Sequence, residues 1–169
     1  KKSGILVNDI KNVMIVGGST IAEYLARRLN KYDINLKIIE QNIERCEELS
    51  ELFPDALIIN ANAADKDVLL EEGIEDIDAF ASLTNLDEEN MILSIYAKKH
   101  SKAKIFTKVT RLTYDDIISE MPLGIIINPK MITTDSIIQH VRAMQNSDGS
   151  GVEALYRIVS NKVEALEFH

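Results

Sequence analysis

Apolar positions along this 169-residue chain follow two alternating spacings. Short apolar runs at residues 13–16, 36–39, 56–59, 79–83, 104–108 and 125–127 predict buried β-strands. Between them apolar residues recur every three or four positions, which predicts helices over 20–31, 42–52, 87–100, 113–120 and 131–144. A shorter helix carries Val68 and Leu69, follows a capping Asp65 and closes at Gly73. The first helix spaces Ile21, Tyr24, Leu25, Arg28 and Leu29 periodically, and the second sets Ile43, Cys46, Leu49 and Phe53 on one face. Over 87–100 the predicted inward face is Met91, Ile92, Ile95 and Tyr96. Parallel neighbours need helical crossovers, so this alternation predicts an α/β fold with a doubly wound parallel sheet.

The rhythm stops at "QNSDGSG", residues 145–151, a polar stretch with the composition of a linker. Residues 154–159 and 163–168 are again apolar and strand-like, with no further sequence to pack against. The expected organisation is a leader or linker over 1–11 and a nucleotide-binding domain over 12–144. A linker follows over 145–151, and then the truncated start of a further domain over 152–169.

Composition narrows the partners. The chain is 46% hydrophobic and 27% charged, as in ordinary globular proteins, and lacks tryptophan, so aliphatic residues fill its core. A net charge of −8 argues against a nucleic-acid surface, which needs clustered Lys and Arg. The lone Cys46 forms no internal disulfide and suits a reducing compartment. No run approaches the roughly 20 apolar residues of a membrane span, so a membrane role would pass through a partner.

In an open parallel sheet ligands bind beyond the carboxyl ends of the strands, where strand order reverses. After the first strand stands Gly17-Gly18-Ser19-Thr20-Ile21-Ala22, where a dinucleotide fingerprint would read G-x-G-x-x-G. Gly17 permits the tight turn. Ser19 occupies the position where backbone approaches a pyrophosphate, and its hydroxyl can donate to a phosphate oxygen. Ala22 is an accepted packing variant. The following helix start would attract a phosphate, although the turn alone is also compatible with a purely structural role. Glu40 ends the second strand about 20 residues past the turn, where an acid accepts from ribose hydroxyls and repels a 2′-phosphate.

Other strand ends add candidates. "NANAAD" presents Asn60 and Asn62 where an adenosine would lie, or simply caps a helix at Asp65. "LTNLDEEN" places Thr84 and Asn85 at the edge, with Asp87 and Glu88 as ordinary first-turn acids. Lys108 ends the fifth strand, within possible reach of a phosphate. No catalytic arrangement accompanies them. His100, His140 and His169 form no triad or metal spacing, and too little chain remains for a substrate domain. The chain is not expected to be an enzyme.

Several segments in order carry a family resemblance: "VMIVGGSTIAEYLARRL", "LKIIEQNIERCEEL", "ALIINANAADKDVLLEEGI", "DAFASLTNLDEENMILSIYAKK", "IFTKVTR" and "LGIIINPKMITTDSIIQHVR". Over residues 12–144 the chain resembles the KTN domain, the Rossmann-like N-lobe of RCK modules, of TrkA-type regulators of potassium uptake. Its altered fingerprint and leader resemble the second of two tandem units, and its tail resembles the start of an RCK C-lobe.

The resemblance implies regulation: NAD(H) or an adenine nucleotide (ATP, ADP or AMP) binds in the crevice and alters how the assembly gates a membrane potassium channel subunit. It implies that Gly17, Gly18, Ser19, Thr20 and Ile21 hold phosphates and that Glu40 holds the ribose. Asn62 and Ala63 would lie beside the adenine, Thr84 would face the second half of the ligand, and Lys108 stands where the family usually has arginine. Ala61-Asn62 replaces the family's common Gly-Asp. A cytoplasmic location beneath the membrane is implied. So is a homodimer or larger ring packed through Ile132, Ile137, Ile138, Val141 and Met144 of the last helix. Two alternatives stand beside this: a fragment of an NAD-dependent oxidoreductase, and a nucleotide-free structural unit.

Overall fold

The structure is a computed structural model describing residues 10–111, 113, 115–146, 152–158 and 163–168. Six parallel strands form one sheet: β1 (Asn12–Val16), β2 (Asn35–Glu40), β3 (Leu57–Asn60), β4 (Ala79–Ser82), β5 (Lys104–Lys108) and β6 (Ile125–Ile127). Their spatial order is β3-β2-β1-β4-β5-β6. The crossovers are α1 (Thr20–Leu29), α2 (Ile43–Leu52), α3 (Lys66–Glu71) with a 3₁₀ turn at Ile74–Asp76, α4 (Asp87–His100) and α5 (Asp115–Glu120). The predicted doubly wound sheet is present. Strand order reverses between β1 and β4, so their carboxyl ends diverge into a crevice.

Alternation along the strands builds a core on each face. Met14 and Val16 join Ile39, Phe80 and Ile105 beneath α3 and α4, where Leu69, Leu93 and Ala97 cover them. Val13 and Ile15 point the other way, with Ile38, Ala81 and Leu83, onto Ala22 and Ala26 of α1 and Leu49 of α2. A third cluster, Val109, Ile118 and Leu123, lies under α5.

Three helix faces differ from expectation. Tyr24 and Ile43 are exposed, because Ala22, Ala26 and the half-buried Ile21, Leu25 and Leu29 supply the contact of α1, while Cys46, Leu49 and Phe53 supply that of α2. On α4, Ile92 is 68% exposed, and the buried stripe runs through Asp87, Asn90, Leu93, Ser94 and Ala97. That stripe meets hydroxyls within the sheet: Ser94 Oγ lies 2.8 Å from Ser82 Oγ and 2.6 Å from Thr107 Oγ1. Polar residues are favoured there because buried polar groups need partners.

The chain divides into two units, residues 1–127 and 128–169. The second holds α6 (Pro129–Asn146) and an antiparallel pair, β7 (Val152–Ile158) with β8 (Val163–Phe168). The helix begins two residues before the predicted 131. Pro129 fits its first turn, which needs no N–H, and Asn128 Oδ1 accepts from Met131 N at 3.0 Å. The two tail strands pair with each other. Val159, residues 147–151 of the linker and residues 1–9 of the leader lie outside the described residues. Among the described residues no helix is long and apolar enough to cross a membrane.

Candidate functional site

The crevice at the strand reversal is lined on one side by the β1–α1 turn and the end of β2, and on the other by the β4–α4 loop and Glu89. Gly17 is required at its floor. Its φ is +94°, and a Cβ there would meet Thr84 N at 2.8 Å, so only glycine lets the two strand ends approach this closely. Gly18 is held for another reason, since a Cβ would meet Leu49 Cδ1 at 2.8 Å and crowd Arg45 and Glu40.

Ser19 caps α1: its Oγ accepts from Ala22 N at 3.5 Å, and Glu23 N bonds back to Ser19 O at 3.0 Å. An acceptor role leaves the hydroxyl proton for something else. The N–H groups of Thr20 and Ile21, in the first turn, have no intrahelical acceptor. Neither residue lines the crevice, which at this end is bordered by Gly17, Gly18 and Ser19.

Glu40 is tied into the same turn. Its Oε2 accepts from Gly18 N at 2.5 Å and its Oε1 from Asn42 N at 2.8 Å. Each carboxylate oxygen retains a further lone pair for a hydroxyl donor. Arg45 braces the assembly from α2, with Nε donating to Gly18 O and its terminal nitrogens to Glu23 and Glu48, each at 2.7 Å. Its guanidinium holds the Glu23 carboxyl below the usual range, assisted by Arg27.

The expected base-side residues separate. Asn62 and Ala63 line the crevice, and Asn62 Oδ1 accepts from Ala64 N at 2.9 Å. The Asn60 amide turns away instead, donating to Glu40 O at 3.2 Å and Gln41 O at 3.0 Å. It fixes the turn that presents Glu40. Cys46 Sγ donates to the same Glu40 carbonyl at 3.3 Å, and burial pushes its thiol up.

Across the crevice Thr84 is held by Asn90, which is fully buried on α4. Asn90 Nδ2 also reaches Lys108 O at 3.1 Å, joining the ends of β4 and β5. Asp87, also buried, accepts from Thr110 N and Arg111 N, both at 2.9 Å. Burial alone would raise its carboxyl, but these donors, the Thr110 hydroxyl and the Arg111 charge outweigh it and hold the group low.

Lys108 is 5% exposed at the end of β5 and does not line the crevice. Burial pushes its ammonium down against the pull of Asp87. The sequence pointed to neither Glu89 nor Asn90. A first-turn acid reads as a cap, and a polar residue inside a helix reads as a surface position. Among the described residues no group of three or more His, Cys, Asp or Glu could hold a metal.

Order, switch point and glycine turn together define a Rossmann-like domain. The chain belongs to the TrkA-N domain family, whose model matches residues 13–129. It is 37% identical over 161 residues to the Trk system potassium uptake protein TrkA of Halomonas elongata, covering 95% of this chain and 34% of that protein. The protein of the same name from Vibrio alginolyticus is 33% identical with the same coverage. The chain thus spans about a third of the length of these relatives. Among solved structures, the TrkA-N domain of the inner membrane protein ybaL from Escherichia coli superposes with a TM-score of 0.65 at 20% identity, covering 78% of this chain and 97% of that one. The GsuK channel bound to NAD superposes with a TM-score of 0.62 at 15% identity, covering 91% of this chain and 26% of the channel. At these identities the two structures establish the fold.

Proposed function

We propose that this chain is the nucleotide-responsive part of a cytoplasmic regulator of a Trk-type potassium uptake system, acting by conformation rather than by catalysis. The observation that carries this is the convergence of Gly17, the α1 N-cap Ser19 and Glu40 on one crevice at the strand reversal. In this reading NAD(H) or an adenine nucleotide lies across it. Its phosphates meet the N–H groups of Thr20 and Ile21 and the Ser19 hydroxyl. Glu40 accepts from a ribose, Asn62 and Ala63 flank the base, and Thr84 faces the other half. The family membership and the NAD-bound channel of like fold support the ligand class.

Regulation requires that the ligand bind two arrangements of the assembly unequally, since equal affinity shifts nothing. The exposed Ile132, Ile137, Val141 and Met144 on α6 support pairing between copies, in a dimer or a larger ring. The membrane subunit that conducts potassium would read the difference from the cytoplasmic side.

Potassium flux tests the reading. Vesicles carrying the membrane subunit and the whole regulator should change their uptake when NADH or ATP is supplied, and Glu40→Ala should blunt the response. Flux indifferent to nucleotide in both proteins would overturn it.

A further inference from the structure

The crevice has an unusual charge balance for a place proposed to hold phosphates. Two carboxylates line it, Glu40 from β2 and Glu89 from the first turn of α4, and among the described residues lining it none is Lys or Arg. Arg45, beside the glycine turn, spends its guanidinium on Gly18 O, Glu23 and Glu48. Lys66 borders the adjoining apolar groove between α3 and α4, and Lys108 is buried away from the crevice. The positive elements left are the starts of α1 and α4, each worth about half a charge, and the first turn of α4 already carries Asp87, Glu88 and Glu89.

We propose, resting on the nucleotide reading above, that Glu89 acts with Glu40 as a charge filter favouring the least negative ligand. That ligand is an oxidised nicotinamide dinucleotide. Its pyrophosphate is a diester that one helix start can serve, and its pyridinium offsets part of the phosphate charge. The reduced dinucleotide lacks that offset, and a nucleoside triphosphate is more negative still. Each added negative charge meets two fixed carboxylates with no lining cation to repay it. Glu89 is the selective member of the pair. It stands on the β4 side, beside Thr84, while Glu40 is also bonded to the Gly18 and Asn42 N–H groups.

Calorimetric titration of the chain in magnesium-free, low-salt buffer tests this, using NAD⁺, NADH, ADP and ATP with wild type, Glu89→Gln and Glu88→Gln. Glu88 borders the neighbouring groove, as Glu89 does, but does not line the crevice, and serves as the control. Affinity should fall in the order given. Glu89→Gln should narrow the NAD⁺-to-ATP ratio by about threefold or more, added salt should narrow it too, and Glu88→Gln should not. If the ligands bind but the ratio is unchanged in Glu89→Gln, or ATP binds tightest to wild type, the filter is overturned and the nucleotide reading stands. If none of the four binds, the nucleotide reading fails and takes the filter with it.

Discussion

Asn90 holds both backbone groups of Thr84: Thr84 N donates to Asn90 Oδ1 at 2.9 Å, and Asn90 Nδ2 donates to Thr84 O at 3.2 Å. A strand end facing a crevice has no neighbour to complete its ladder, and a buried carboxamide supplies the missing peptide. Asn90→Ala would remove the buried donor to Lys108 O and leave both Thr84 groups without this partner at the crevice edge. A loss of about 2–4 kcal/mol is expected in urea denaturation. Any ligand contact at Thr84 should weaken along with it.

Glu40→Ala removes the acceptor for Gly18 N and the proposed ribose contact together. Affinity for NADH should drop by about tenfold or more, as for the loss of a charge-assisted hydrogen bond. Titration of the variant checks this, and unchanged affinity would place the ribose elsewhere.

Ser19 separates capping from binding. Ser19→Ala should cost about 1 kcal/mol through the lost cap, whereas Ser19→Gly should cost only a few tenths. Both lack the hydroxyl, so both should bind the dinucleotide more weakly. Paired denaturation and titration of the two variants read the difference, and an affinity gain in Ser19→Gly would mean that the side chain obstructs the pyrophosphate.

Stability should also depend on pH through Asp87 and Glu23, whose carboxyls are held low in the fold. A carboxyl with a lowered folded pKa contributes stability that is complete above its unfolded value and lost as pH falls through the folded one. The contribution of these carboxyls to the urea midpoint should be level above about pH 5 and fall toward pH 3. Asp87→Asn should flatten part of that slope and lower the plateau, because Thr110 N and Arg111 N lose their charged acceptor.

Lys108 carries the opposite cost. Burial disfavours its charged form, so the fold gains as pH rises through the folded pKa and gives up some stability at neutral pH. Lys108→Met, of similar length, should raise the urea midpoint at pH 7 and leave NADH affinity unchanged. A lowered midpoint would show that Asp87 depends on this ammonium.

How far the sequence reached is visible at particular residues. The strands announced themselves because Val13 to Val16 must be apolar on both faces of a covered sheet. Gly17 and Glu40 were legible because the turn and the strand end have a fixed spacing in this fold. Ile92 misled, because helical periodicity ranks it above Ser94, and only the sheet's buried hydroxyls explain the inward serine. Lys108 was placed by its strand position alone, which does not say where a long side chain lies. Glu89 and Asn90 were hidden because periodicity does not say which polar residues of α4 turn toward the end of β4, where Asn90 bonds Thr84 and Glu89 lines the crevice.

The central claim is that the crevice between β1 and β4 binds a nucleotide, and calorimetric titration with NAD⁺, NADH, ATP, ADP and AMP tests it most directly. The account predicts saturable heat for at least the dinucleotides, a matching rise in thermal midpoint, and loss of both in Glu40→Ala. No heat and no thermal shift with any of the five would contradict it and favour the nucleotide-free structural reading.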